Sequence, residues 1–325
     1  MEQQCAWIAG GYAEAGAMGL YLVRHRVGRL HVECVVAPVC NVSAGVRRDA
    51  LWYLVDEVAG DVVLIDSTNW REIVRFPSAG HAPCHLALDA TGTMLVVANY
   101  GDGTTALFTL DDRGLPTGDP DCYRHTGNGP DPDRQAGPHA HWVGFAPDGT
   151  LYVADLGNDC VLGFSPNSGR LGTAKIVFTA PPGSGPRQIA FHPDRPILYL
   201  LSELASTLSV LDRGDGGRLV ARQCVSTLPS PADNLGGAIL VDGDRLYVTN
   251  RGHDSVATFA IETDGAVHLI SHRASGGLSP RFLAIDGDHL LVAHERQGGV
   301  TLMERDGPVL ARADIPGAAF LGAIG

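Results

Sequence analysis

Seven times along the chain a six-residue, largely apolar run recurs in one register, each copy followed by a turn. The copies are WIAGGY (7–12), WYLVDE (52–57), LVVANY (95–100), LYVADL (151–156), LYLLSE (198–203), LYVTNR (246–251) and LLVAHE (290–295). Their starts lie 45, 43, 56, 47, 48 and 44 residues apart, a period of four-stranded propeller blades rather than of helical solenoids. The clearest unit, PRQIAFHPDRPILYLLSELASTLSVL (186–211), reads as strand, tight turn, strand, polar break and strand. DATG (89–92), APDG (146–149) and DGD (286–288) occupy equivalent turns. Their Pro, Asp and Gly supply the preset φ, the local hydrogen bond and the positive φ of a reversal. No segment of 12 or more residues keeps a clean 3.6-residue apolar period. The expectation is an all-β chain: a seven-bladed β-propeller of four-stranded antiparallel blades, built as a single domain over residues 1–325.

Too little chain precedes Trp7 for a strand ahead of the first copy. The missing piece is expected from PGAAFLGAIG (316–325), so that the two termini share one blade. The longest interval between copies holds a polar, Pro/Gly-rich insertion at about 121–137, expected to form a functional loop.

The formal net charge of −12 argues against a nucleic-acid partner, because neutralising phosphates needs a basic surface. An anionic small molecule stays open, since a cleft can focus positive potential against the global sign. No stretch approaches the roughly 20 apolar residues of a membrane span. The N-terminal MEQQCAWIAG has no basic segment and no long apolar run, so no signal peptide is expected. Seven cysteines without a CxxC pair read as reduced thiols and a cytoplasmic protein. Lys175 is the only lysine, which leaves arginine as the dominant cation.

Two rows of residues are placed at one end of the blades, because the first two strands of each unit run antiparallel. The start of the first strand contributes Cys84, His141, Arg187, Gly237 and Arg281. The end of the second contributes Asp56/Glu57, Asn99/Tyr100, Asp155/Leu156, Ser202/Glu203, Asn250/Arg251 and His294/Glu295. Apolar strands separate these ionisable rows, and different charges at equivalent repeat positions point to a ligand site. Arginines at one mouth suit a carboxylate or phosphate, which the guanidinium fork binds bidentately. Glu203, Glu295, His139 and His141 are the candidates for proton transfer. The insertion adds His125, Arg134 and Gln135 as loop contributors, and His85 and Asn99 complete the candidate binding set with Arg281 and Glu295.

The motifs GPHAHWVGFAPDGTLYVADLGND, GPRQIAFHPDRPILYLLSELASTLSVL and LYVTNRGHDSVATFAI, preceded by PCHLALDATGTMLVVANYGDG, resemble those of the seven-bladed lactonase family. That family includes propeller-type 6-phosphogluconolactonases and carboxy-muconate lactonizing enzymes. The resemblance runs from WIAGGYAEAGAMGLYLV onward and is densest between residues 80 and 296. It implies a site formed by the histidine of GPHAH, the arginine of GPRQ, the glutamate of SEL and the arginine of NRGHD. Here these are His139 or His141, Arg187, Glu203 and Arg251; rim geometry favours His141 and motif spacing His139. The similar RQAGPHAH stretch adds Arg134. The implied activity is hydrolysis of a small phosphorylated or carboxylated lactone without metal or cofactor, or the related cycloisomerase reaction.

Two other classes remain in view. A metal-dependent lactonase would draw ligands from Glu57, Asn99, Asp155 and Asn250. A non-enzymatic propeller would serve as an interaction platform, but the WD dipeptide is missing and a platform does not account for an arginine-lined mouth. There is no G-x-S-x-G elbow, and neither a P-loop nor a dinucleotide fingerprint.

Overall fold

In the computed structural model, which describes residues 5–26 and 28–324, the chain forms seven four-stranded antiparallel sheets. Helix is limited among the described residues to two short 3-10 turns, Ala13–Ala15 and Asp215–Gly217. The all-β class, the seven blades and the four strands per blade match the expectation. The blades are numbered 1 to 7 in chain order: residues 5–37 with 318–323, then 45–77, 83–124, 140–179, 186–226, 235–274 and 278–313. Two compact units divide them. Gly45–Val225 holds blades 2 to 5, and Met1–Ala44 with Ser226–Gly325 holds blades 1, 6 and 7.

Each of the seven apolar runs is the second strand of its blade, and burial explains their composition. All six residues of Ile197–Ser202 are buried, as are all five of Leu151–Asp155. A strand covered on both faces reads as a continuous apolar run, with no alternation. The fourth strands face solvent, and in Val309–Ala313 exposed residues alternate with less exposed ones. Two tyrosines of these runs carry a hydroxyl into the core and give it a backbone partner. Tyr53 donates to the Gly114 carbonyl at 2.6 Å, and Tyr152 to that of Gly217 at 3.1 Å. Each bond reaches the outer hairpin turn of the following blade, so a single side chain ties two repeats.

In blade 1 the strand Ala318–Ala323 takes the first position, pairing with Cys5–Gly11 from Trp7↔Ala323 to Gly11↔Ala318. The two ends of the described chain therefore share a blade, as expected. One boundary moves. Residues 121–124, placed in the insertion by their polarity, finish the fourth strand of blade 3, Pro116–Arg124. An outer strand is solvent-facing and needs few apolar residues, which is why composition alone assigned these four to the loop.

Candidate functional site

The first strands are not regular where the ionisable row begins. In blade 3 the register moves from Pro83↔Asn99 to His85↔Ala98 around Cys84. In blade 4 it moves from Ala140↔Asp155 to Trp142↔Ala154 around His141, and in blade 5 from Pro186↔Ser202 to Gln188↔Leu201 around Arg187. Blade 7 repeats the shift around Arg281, and blade 6 between Gly236 and Ile239. The row singled out from the sequence is thus a row of β-bulges, and a bulge turns one side chain out of the ladder.

Within Gly45–Val225 this brings together a buried ionic cluster. Glu203, 1% exposed, follows the second strand of blade 5. Its Oε1 accepts from Arg134 Nη2 at 2.5 Å, and its Oε2 accepts from Arg187 Nη1. The same Arg187 nitrogen lies 2.5 Å from His141 Nε2. Since a guanidinium only donates, that imidazole nitrogen acts as the acceptor. Two guanidinium groups keep the Glu203 carboxylate ionised and leave the cluster a net positive charge. Burial works against the Arg134 charge, but Glu203 and the Tyr100 hydroxyl more than offset it and raise the pKa further.

His139 sits beside this cluster in a different state. Its backbone N–H donates to Asp155 Oδ1 at 2.9 Å, and its Nδ1 donates to the Tyr100 carbonyl at 2.6 Å. A carbonyl can only accept, so the neutral tautomer carries its lone pair on Nε2. That nitrogen has no partner among the described residues. The backbone below is held close by Gly157, where a Cβ would collide with the Gly137 carbonyl.

The loop that delivers Arg134 is built by its own acidic residues. Asp131 Oδ1 accepts the backbone N–H groups of Asp133 and Arg134 at 2.9 and 3.0 Å, an Asx-type turn. Gln135, wholly buried, donates from Nε2 to the Leu156 carbonyl at 2.9 Å. Gln135 therefore anchors the loop while Arg134 reaches the cluster.

Other candidates lie elsewhere. His125 is buried: Nδ1 donates to Asp155 Oδ2 at 2.6 Å, and Nε2 is 3.1 Å from Thr105 Oγ1. Burial alone would raise the Asp155 pKa, but the hydrogen bond from His125 and those from His139 and Asn158 bring it below the usual carboxylate range. Asn99, also wholly buried, donates to the carbonyls of Thr104 at 3.1 Å and Ser78 at 3.3 Å. Both residues tie strand ends to turns. His85 packs against Trp142 with ring centroids 5.5 Å apart, and its Nδ1 accepts the Val143 N–H at 3.4 Å. Burial, with Arg187 nearby, pushes this imidazole down to about 3.

In the other unit Arg251, Arg281 and Glu295 form a set of their own. Glu295 Oε2 accepts from Arg281 at 3.0 Å, and Oε1 accepts from Ser279 Oγ at 2.5 Å and Arg251 at 3.5 Å. Arg251 also donates to the Gly236 carbonyl at 2.9 Å, and the Arg281 guanidinium lies 5.6 Å from the centre of the Tyr12 ring. Arg281 and Glu295 repeat the arrangement of Arg187 and Glu203: an arginine on the bulge and a glutamate at the end of the adjacent strand. Asn250, beside Arg251, is engaged with Thr227 and Ser255.

The sequence reading placed Tyr100 in the strand-end row but gave it no role in the candidate site. The available signal was its position, which is equivalent in blade 3 to that of Glu203 in blade 5.

A profile described as "Lactonase, 7-bladed beta-propeller" matches residues 8–309. Over 263 residues the chain is 32% identical to the 6-phosphogluconolactonase of Bacillus subtilis (strain 168), spanning 78% of this chain and 72% of the relative. A 6-phosphogluconolactonase of Formosa agariphila is 30% identical over 266 residues, 78% and 73% of the respective chains. The crystal structure of a Lactobacillus plantarum protein matches with a TM-score of 0.88 at 27% identity, covering 99% of this chain and 100% of that one. With its blades, its motifs and these matches in agreement, the chain belongs to the seven-bladed β-propeller lactonase family.

Proposed function

We propose that this protein hydrolyses a small anionic lactone, phosphorylated or carboxylated, of the 6-phosphogluconolactone type. The observation that carries the reading is one carboxylate held between two arginines, next to a histidine whose acceptor nitrogen is presented by a backbone carbonyl. The relatives named as 6-phosphogluconolactonases support hydrolysis as the direction.

In this reading Arg134 and Arg187 draw in the anionic substrate and polarise the lactone carbonyl. His139 Nε2 takes a proton from water as the water oxygen bonds to the carbonyl carbon. The resulting oxyanion is stabilised by the guanidinium charge, a contribution whose loss costs roughly 10²- to 10³-fold per donor. Collapse breaks the ring C–O bond, and the imidazolium returns its proton to the departing alkoxide. The new carboxylic acid ionises, so each turnover releases one proton. Glu203, bound on both oxygens by arginine, serves to align those arginines and not to remove the proton. A cytoplasmic setting rests on the sequence alone, seven cysteines without a CxxC pair.

The test is proton release from a panel of phosphorylated, carboxylated and neutral lactones, each corrected for spontaneous opening. Faster opening of the anionic members is expected. Equal rates with and without protein across the panel refute the proposal.

A further inference from the structure

We propose that Tyr100 is a positioning residue of this site, setting the plane of His139 and linking it to the arginine grip; the inference rests on the lactonase reading above. Four contacts converge on this one residue. Its ring stacks on His139 with centroids 4.3 Å apart and planes 13° from parallel. The same ring meets His141 edge-on at 5.4 Å and 82°. Its carbonyl accepts His139 Nδ1–H, and its hydroxyl lies 3.4 Å from Arg134 Nη2.

The backbone at this point is pinned on both sides. The Tyr100 N–H donates to the Ala82 carbonyl at 2.9 Å, and the next N–H, of Gly101, to that of His81 at 2.8 Å. The carbonyl that selects the His139 tautomer is therefore held by strand-end hydrogen bonds, and the stacked ring removes the remaining rotation of the imidazole. An aromatic pair of this kind adds directional preference beyond its burial. The arrangement gives the side chain two separable parts: the ring serves His139, and the hydroxyl serves Arg134. Tyr100 itself need not touch the reacting atoms.

That division predicts opposite kinetic signatures. Tyr100→Leu removes both parts, and with the imidazole free to turn, kcat is expected to fall at least about tenfold. Tyr100→Phe keeps the ring, so it is expected to recover most of the lost kcat. Its KM should rise about three- to tenfold, because Arg134 loses a hydrogen bond that helps orient it.

The experiment measures kcat and KM for Tyr100→Leu, Tyr100→Phe and His139→Gln on the lactone the wild type opens fastest, with the melting temperature of each. A wild type that accelerates no lactone overturns the lactonase reading and this inference with it, and a His139→Gln variant as active as wild type overturns the role given to His139 and, with it, the positioning role. With His139→Gln inactive, a folded Tyr100→Leu at wild-type kcat overturns the positioning role alone. Should Tyr100→Leu not fold, Tyr100→Phe decides: a KM increase with kcat largely kept supports the role, and parallel losses or no change in either overturn it.

Discussion

His139 and His141 are two residues apart, yet hydrogen bonding gives them opposite chemistry. His141 Nε2 is taken up by Arg187, whereas His139 is bound through Nδ1 and keeps Nε2 available. His139→Gln, which can still donate to the Tyr100 carbonyl, is therefore expected to lower kcat by about 10²- to 10⁴-fold. Steady-state kinetics on a responsive lactone check this. Two other histidines bear on stability. Burial pushes His85 to about 3 and His294 to about 4, both from an ordinary 6.5. Between those values and 6.5 the unfolded chain binds more protons than the folded one, so stability rises with pH across that window and levels off above it. Melting temperatures taken from pH 4 to 8 should climb and then flatten, and His294→Gln should make the climb shallower. A slope identical to wild type contradicts the assignment.

At the scale of the strand and loop, Asp155 organises the approach to the site. It ends the second strand of blade 4 and accepts from His125, from the His139 backbone and from Asn158. Asp155→Asn replaces an acceptor oxygen with a donor facing donors, at a cost of about 2–3 kcal/mol. Chemical denaturation should show that loss, accompanied by reduced kcat as His139 loses its anchor. The pair Asn99/Tyr100 shows how far such ends were legible in the sequence. Strand-end polarity located both residues, because buried second strands are apolar and the row after them is not. What separated an anchor from a site-facing residue was whether a neighbouring chain segment crosses it. Asn99 meets the turn around Ser78, and that contact is tertiary. For the same reason His125 read as a loop contributor: nothing local to it announces the distant carboxylate of Asp155. The arginines on the bulges of blades 5 and 7, Arg187 and Arg281, were more legible, since both stand at the same offset before a turn.

Across the whole molecule the repeat carries the architecture, and the seven runs alone were sufficient to number the blades. The position of the first run, at Trp7, also pointed to a missing first strand, which Ala318–Ala323 supplies. Ala318, Ala319, Phe320 and Leu321 are all buried, so deleting residues 317–325 should uncover the edge of Cys5–Gly11 as well as apolar surface. The expected result, by light scattering and thermal melting, is a markedly less stable, association-prone chain. A truncated protein that is monomeric and melts like wild type contradicts it. The global charge of −12 says little about the ligand, because the cluster around Glu203 has the opposite local sign. The decisive measurement is kcat/KM for anionic-lactone opening by Arg187→Ala and Glu203→Gln beside wild type. A fall of roughly 10²-fold or more in Arg187→Ala, with a clear loss in Glu203→Gln, is the predicted result; turnover unchanged in both would contradict the account.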